Sequence, residues 1–186
     1  MYPRLVIDLK KVKNNLDRIT EMVKGSGCSL MIVTKGASAD MEVYKLLNES
    51  DIDYIADSRI QNLKKYEGTG KERVLLRLPM NSETDQVVKY ADISLNSELK
   101  TIRNLDEAAK KQGKVHKIIL MIDLGDLREG IFFKNEDEIF NAVEEILKLK
   151  NIELFGIGVN LTCYGAVIPK KDNLSILVEI ARKIEK

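Results

Sequence analysis

The chain lacks the residues on which several common kinds of site depend. Its 186 residues include no tryptophan, a single histidine (His116) and two cysteines (Cys28 and Cys163). One histidine excludes a metal site built on several histidines, and two cysteines without metal-ligand spacing give neither a disulfide framework nor a zinc site. We therefore expect no metal site and a reduced, cytoplasmic setting.

An excess of charge of one sign is also lacking. Lys and Arg number 30 against 29 Asp and Glu, which gives a net charge of +1. Domains that bind nucleic acid through its phosphates are typically basic, so the charge predicts no nucleic-acid partner. No apolar run approaches the about 20 residues of a membrane-spanning helix. The first four residues lead directly into a strand-like run, which is not the pattern of a secretory signal.

Short apolar runs alternate with helical patterns along the chain. Six runs of strand length, near residues 30, 54, 75, 94, 120 and 157, are each followed by a segment that fits a helix. Strands that are apolar on both faces and separated by helices predict a parallel sheet with helical cover. A closed (β/α)8 barrel of the TIM type needs eight such units. The pattern therefore predicts an α/β fold with about six of the eight units.

The amino-terminal segment is predicted to form one further strand. Leu5–Ile7 is a short apolar run, and Asp8 after it suits the N-cap of a helix. We therefore assign residues 1–10 to a leading strand and residues 29–186 to the βα units.

A lysine follows the first of the six runs. Residues 29–34 form an apolar segment that ends at Lys35, and Gly36 comes next. In α/β folds the chemistry collects at the carboxyl ends of parallel strands. A lysine amine can attack a carbonyl and form an imine, so we interpret Lys35 as a Schiff-base lysine. The strand alone equally fits a lysine that only reaches solvent.

Other polar residues end the later strands and would face the same mouth of a barrel. They are Arg59, Arg77, Asn96, Asp123, Arg128 and Asn160. Arginine suits carboxylates and cofactor oxygens because its guanidinium is a planar fork of donors. Each residue alone also fits a capping or surface role. His116 precedes its strand and lies at the opposite end, so we expect it to be structural.

Seven segments of the sequence resemble the alanine racemase N-terminal domain family, the fold-type III group of pyridoxal-phosphate (PLP) enzymes. They are Leu5–Leu9, Val33–Gly36, Ala56–Asn62, Leu75–Pro79, Asp92–Glu98, Met121–Gly130 and Gly156–Gly165. The most specific parts are the Asp-Leu-Gly-Asp-Leu-Arg-Glu-Gly loop that begins at Asp123 and the Gly-Val-Asn-Leu-Thr-Cys-Tyr-Gly loop that begins at Gly158.

The resemblance implies a PLP-dependent amino-acid racemase, with a basic amino acid such as ornithine as substrate. By position, Lys35 would form the internal aldimine with PLP and move the α-proton. Arg128 would hold the cofactor oxygen or the substrate carboxylate. Asn160 falls where alanine racemases usually place a histidine against the pyridine ring, and this departure favours the ornithine-type branch. The further candidates are Arg77 and Asn96 for the cofactor and Tyr164 for the substrate.

Family racemases are longer than this chain. The resemblance implies two more barrel units and a C-terminal β-domain with the second base, so residues 1–186 are interpreted as the N-terminal part of the PLP barrel and are expected to be inactive alone. Two unpaired sheet edges predict a homodimer or a rearranged sheet. Three alternatives stay open: a non-catalytic PLP-binding barrel, an alanine racemase, and an α/β fragment that binds nothing.

Overall fold

Parallel strands and helices alternate in a computed structural model, which describes residues 3–68, 70–162 and 167–186. The helices are α1 (Leu9–Gly25), α2 (Met41–Asn48), α3 (Ile60–Lys64), α4 (Thr84–Tyr90), α5 (Leu99–Gln112), α6 (Glu136–Leu147) and α7 (Lys171–Ile184). The strands are β1 (Met31–Val33), β2 (Tyr54–Asp57), β3 (Glu72–Leu75), β4 (Ile93–Asn96), β5 (His116–Asp123), β6 (Ile131–Phe132) and β7 (Ile152–Gly158). Two 3₁₀ turns, Lys35–Ala37 and Asn81–Glu83, follow β1 and β3.

The strands pair in the order in which they occur in the chain. β1, β2, β3, β4 and β5 are consecutive and parallel, and β7 pairs with β5. The predicted α/β fold with six principal parallel strands is therefore confirmed. β6 was not predicted, because a strand of two residues carries no hydrophobic pattern. It pairs with Ile122 and Asp123 of β5.

The predicted leading strand is wrong. Residues 3–8 form no strand, and Leu5 and Val6 are 78% and 81% exposed. A strand needs a neighbour for its backbone hydrogen bonds, and no described strand pairs with this segment. The predicted N-cap is confirmed, since Asp8 Oδ1 accepts hydrogen bonds from the backbone N–H groups of Lys10 and Lys11, each 3.1 Å long.

The two faces of the sheet bury different clusters. The larger cluster joins one face to the helices and includes Ile55, Leu75, Ile118 and Leu120, all fully buried. The smaller cluster, on the other face, contains Ala56, Val74 and Ile93 and is built from strand residues alone. The helices therefore cover one face of the sheet, and the predicted helical cover is confirmed. Within the described residues, no helix has the length and apolarity to cross a bilayer.

His116 is buried at the start of β5, where the sequence predicts a structural role. Its Nε2 lies 2.8 Å from Ser94 Oγ, and Ser94 also accepts a 2.9 Å hydrogen bond from Asn96 Nδ2. Burial lowers the pKa of His116 from 6.5 to about 4. The imidazole is therefore neutral in the folded protein at pH 7.

Stability is expected to fall as the pH drops from about 6.5 to about 4. In that interval the unfolded chain binds a proton on His116 and the folded chain does not, so acid favours unfolding. We expect a loss of about 2 to 3 kcal/mol, measured as urea midpoints at pH 7 and pH 4.5. The His116→Gln variant has no imidazole to titrate, so its free energy of unfolding should fall less over the same pH interval. Equal losses in both proteins would contradict this prediction.

Candidate active site

Lys35 begins the 3₁₀ turn directly after β1, at the carboxyl end of the sheet. Thr34 separates it from the strand and donates its backbone N–H to Ala56 O at 2.8 Å, which continues the pairing of β1 with β2. Lys35 is exposed, and its amine forms no hydrogen bond or ion pair with any described residue. The amine is therefore available to a ligand.

The loop between β5 and β6 is shaped by Asp123. Asp123 Oδ1 accepts hydrogen bonds from the backbone N–H groups of Gly125 (2.8 Å) and Leu127 (3.1 Å). Leu127 has φ +55°, a conformation that costs free energy for a leucine, and its side chain is 80% exposed. Asp123, predicted among the polar strand ends, therefore shapes the loop that carries Arg128.

The structure brings together two of the predicted site residues, Arg128 and Asn160. Both contact Glu129: Arg128 Nε lies 3.6 Å from Glu129 Oε2, and Asn160 Nδ2 donates a hydrogen bond to Glu129 Oε1. The side chains of Arg128 and Glu129 are 27% and 20% exposed, so both keep some access to solvent. Glu129 was not predicted as a site residue. The sequence feature that could have identified Glu129 is its negative charge directly beside Arg128, within a specific loop motif.

Arg77 is largely occupied by protein groups. Its Nε donates to Ser58 O and its Nη1 to Leu78 O, each at 3.1 Å, and Nη2 pairs with Glu83. This network fixes the guanidinium between the chain after β2 and the turn after β3. The predicted contact of Arg77 with a cofactor stays a prediction.

Asn96 bonds within β4, and its predicted contact with a cofactor stays a prediction. Asn96 is 1% exposed, and its Nδ2 donates to Ser94 O at 3.1 Å as well as to Ser94 Oγ. No hydrogen bond or ion pair in the described part of the chain joins Asn96 or Arg77 to Lys35, Arg128 or Asn160. Tyr164 lies outside the described residues.

The chemistry of the described site rests on an amine, a guanidinium, a carboxylate and an amide. A lysine amine supplies a nucleophile for a carbonyl, and a guanidinium supplies paired donors for an anionic oxygen. Among the residues that the structure describes, no group of three or more His, Cys, Asp or Glu side chains is arranged to hold a metal ion.

Known proteins with related sequences are racemases. Residues 7–186 match the family model described as "Alanine racemase, N-terminal domain". The chain is 52% identical over 184 residues to an ornithine racemase of Acetoanaerobium sticklandii, covering 99% of this chain and 52% of that protein. It is 37% identical over 188 residues to a lysine racemase of Thermotoga maritima, covering 100% of this chain and 51% of the relative. The chain therefore spans about half the length of the curated relatives it matches.

Solved structures share the fold. An alanine racemase from Streptomyces coelicolor A3(2) superposes with a TM-score of 0.77 at 16% identity, covering 96% of this chain and 48% of that one. At this identity the likeness concerns the fold alone. It agrees with the predicted partial barrel of six principal strands.

Proposed function

Because the chain belongs to the alanine racemase N-terminal domain family, we propose that it is the cofactor-binding barrel part of a PLP-dependent amino-acid racemase. The observation that carries the proposal is the position of Lys35. It is exposed at the carboxyl end of β1 and has no hydrogen-bonding or ionic partner among the described residues. This is the end of a parallel sheet where barrel enzymes bind their ligands.

The residues present fit PLP. The Lys35 amine suits the aldehyde of the cofactor, the Arg128 guanidinium suits its phenolic oxygen, and the Asn160 amide suits a polar contact with its ring. When bound, PLP supplies an electron sink for the charge left on the substrate α-carbon. Lys35 Nζ would bind the cofactor covalently and, once released by the substrate, would take or return the α-proton on one face.

The proposed substrate is a basic amino acid, with ornithine first. The 52% identity to an ornithine racemase and the 37% identity to a lysine racemase support this preference. Glu129 adds a physical argument, because its partly exposed carboxylate lies beside Arg128 and Asn160. A carboxylate at that place can pair with the ammonium group of a basic side chain, which alanine lacks.

We expect the PLP-loaded chain to exchange the α-proton of ornithine with solvent. Racemisation needs a second base, so the chain alone is still expected to be inactive as a racemase, but exchange on one face needs only Lys35. The measurement is the loss of the α-proton NMR signal in D₂O, with both enantiomers of ornithine and alanine and with free PLP as the control. We expect exchange to be at least about tenfold faster with ornithine than with alanine. Glu129→Gln should reduce that ratio.

The alternatives give different results in the same experiment. A non-catalytic PLP-binding barrel would hold the cofactor and exchange neither amino acid faster than free PLP. An alanine racemase would exchange alanine at least as fast as ornithine. Either result would contradict the proposed substrate class.

We also propose that the chain forms a homodimer in the cytoplasm. The outer edges of β1 and β7 have no partner strand in the described ranges, and exposed edges favour association. Sedimentation equilibrium is expected to give the mass of two chains, and a mass of one chain at micromolar concentration would contradict the dimer.

A further inference from the structure

A cluster of polar side chains, all buried except the half-buried Asn62, lies directly behind Lys35, between the sheet and the helices. We call it the Asp57 cluster; it comprises Thr34, Asp57, Asn62 and Tyr66. We call residues 35–39, the 3₁₀ turn after β1 and the two residues that follow it, the lysine turn. Asp57 is 0% exposed and ends β2 beside this turn. Its Oδ2 accepts a 2.8 Å hydrogen bond from Thr34 Oγ1. Its Oδ1 accepts from the backbone N–H of Arg59 at 2.9 Å and from Asn62 Nδ2 at 3.0 Å.

The burial of Asp57 calls for a reason beyond packing. No Lys or Arg side chain of the described residues forms an ion pair with it, and a buried carboxylate without a counter-ion is costly. Its neighbours on the same side of the sheet, Ile55 and Leu75, fill their positions with apolar side chains at no such cost. The carboxylate therefore serves the groups that donate to it, and the one nearest the active site is Thr34.

Thr34 is held on both its backbone and its side chain. Its N–H donates to Ala56 O at 2.8 Å, and its hydroxyl donates to Asp57 and lies 3.2 Å from Ala56 O. Tyr66 is fully buried, stacks on Tyr44 with ring centroids 4.1 Å apart, and has its hydroxyl close to Thr34. The residue that immediately precedes Lys35 is therefore fixed by β2 and lies beside Tyr66, which follows α3.

The other side of the lysine turn is strained. Ser38 and Ala39 have φ values of +50° and +56°, which are unfavourable for residues other than glycine. Such strain persists only where the surroundings hold it in place. Here Ala39 N donates to Thr34 O at 3.4 Å, and Lys65 Nζ donates to Ser38 O at 3.2 Å. The turn thus closes back on Thr34, which makes Thr34 the anchor of the whole segment.

We propose that Asp57 is a positioning residue for Lys35 and that it acts through the hydroxyl of Thr34. By fixing Thr34, the carboxylate sets the direction in which the Lys35 side chain leaves the sheet. This inference rests on the proposed function, in which Lys35 Nζ meets the aldehyde of PLP.

The test compares the labelling of Lys35 with that of an ordinary surface lysine. The chain is mixed with PLP and treated with borohydride, and peptide mass spectrometry gives the rate of label gain at Lys35 and at exposed Lys10. Thr34→Val removes the hydroxyl at nearly constant shape, and Asp57→Asn removes the charge. Each is expected to lower the Lys35 rate about tenfold while the Lys10 rate stays constant. Thr34→Ser, which keeps the hydroxyl, should recover the wild-type rate.

The outcomes separate this inference from the proposed function. If wild-type Lys35 is labelled no faster than Lys10, the proposed function fails. If wild-type Lys35 is labelled selectively and Thr34→Val keeps the wild-type rate, only the positioning role of Asp57 is overturned. The positioning role is also overturned if the Lys35 labelling rate falls as far in Thr34→Ser as in Thr34→Val. Should Asp57→Asn fail to fold, the Thr34 pair decides the question, because the two variants differ chiefly in the hydroxyl.

Discussion

Replacing Lys35 with alanine is expected to abolish the selective borohydride-stable attachment of PLP to the chain. The substitution removes the only atom in the lysine turn that can bond to the cofactor aldehyde, while the exposed position leaves the fold unchanged. The label should fall to the level of surface lysines, and the visible absorbance of bound PLP should be lost with it. The measurements are intact-protein mass after reduction and the absorbance spectrum before it.

Lys10→Ala is the matched control for this experiment. Lys10 is also an exposed lysine near the start of an element, but it lies in the first turn of α1 and not in a turn that follows a strand. We expect it to keep wild-type labelling and absorbance. If Lys35→Ala holds PLP as well as Lys10→Ala does, the role of Lys35 is wrong and the chain binds the cofactor elsewhere or without selectivity.

Gly130→Ala is expected to destabilise the protein by at least about 3 kcal/mol. Gly130 has φ +128°, and a Cβ added there would lie 2.6 Å from Asp123 N and 2.7 Å from the carbonyl carbon of Ile122. Both atoms belong to the backbone of β5 and cannot move aside as a flexible side chain can. The added methyl group must therefore displace the loop from the strand, and the contacts of Glu129 with Arg128 and Asn160 move with it.

The free energy of unfolding in urea measures this effect. Gly156→Ala in β7 provides the control, because its Cβ position has no heavy atom within 4 Å and its φ is not in the left-handed region. We expect the free energy of unfolding of Gly156→Ala to lie within about 1 kcal/mol of the wild-type value. A Gly130→Ala protein as stable as Gly156→Ala would mean that the loop relaxes freely, and the loop could then not hold Arg128 in one place.

The principal strands were predictable because each contains a short run of apolar residues. β5 illustrates this, since Ile118, Leu120 and Ile122 face the helical side and Met121 is also buried. Leu5–Ile7 has the same local pattern and forms no strand, because the pattern reports the preference of a segment and says nothing of whether a partner edge is present. The two residues of β6 were too few to carry any pattern.

The places of the candidate site residues in the fold were predictable where strand ends alone define them. The position of Lys35 followed from the run before it, and Arg128 and Asn160 followed from their loops. Their common contact with Glu129 depends on how the loop after β5 meets the end of β7, a long-range arrangement without a local signal. Asp57 was overlooked for a similar reason. Its partner Thr34 is distant in sequence, and a lone aspartate after an apolar run usually caps the next turn.

The order of the strands has a consequence for how the chain acquires its structure. Since β1 to β5 each pair with the next strand along the sequence, every early contact closes a loop of only one helix. Short loops are closed at low entropic cost and favour rapid folding. During synthesis the lysine turn can therefore be set as soon as β2 has left the ribosome, well before the loop that carries Arg128 exists.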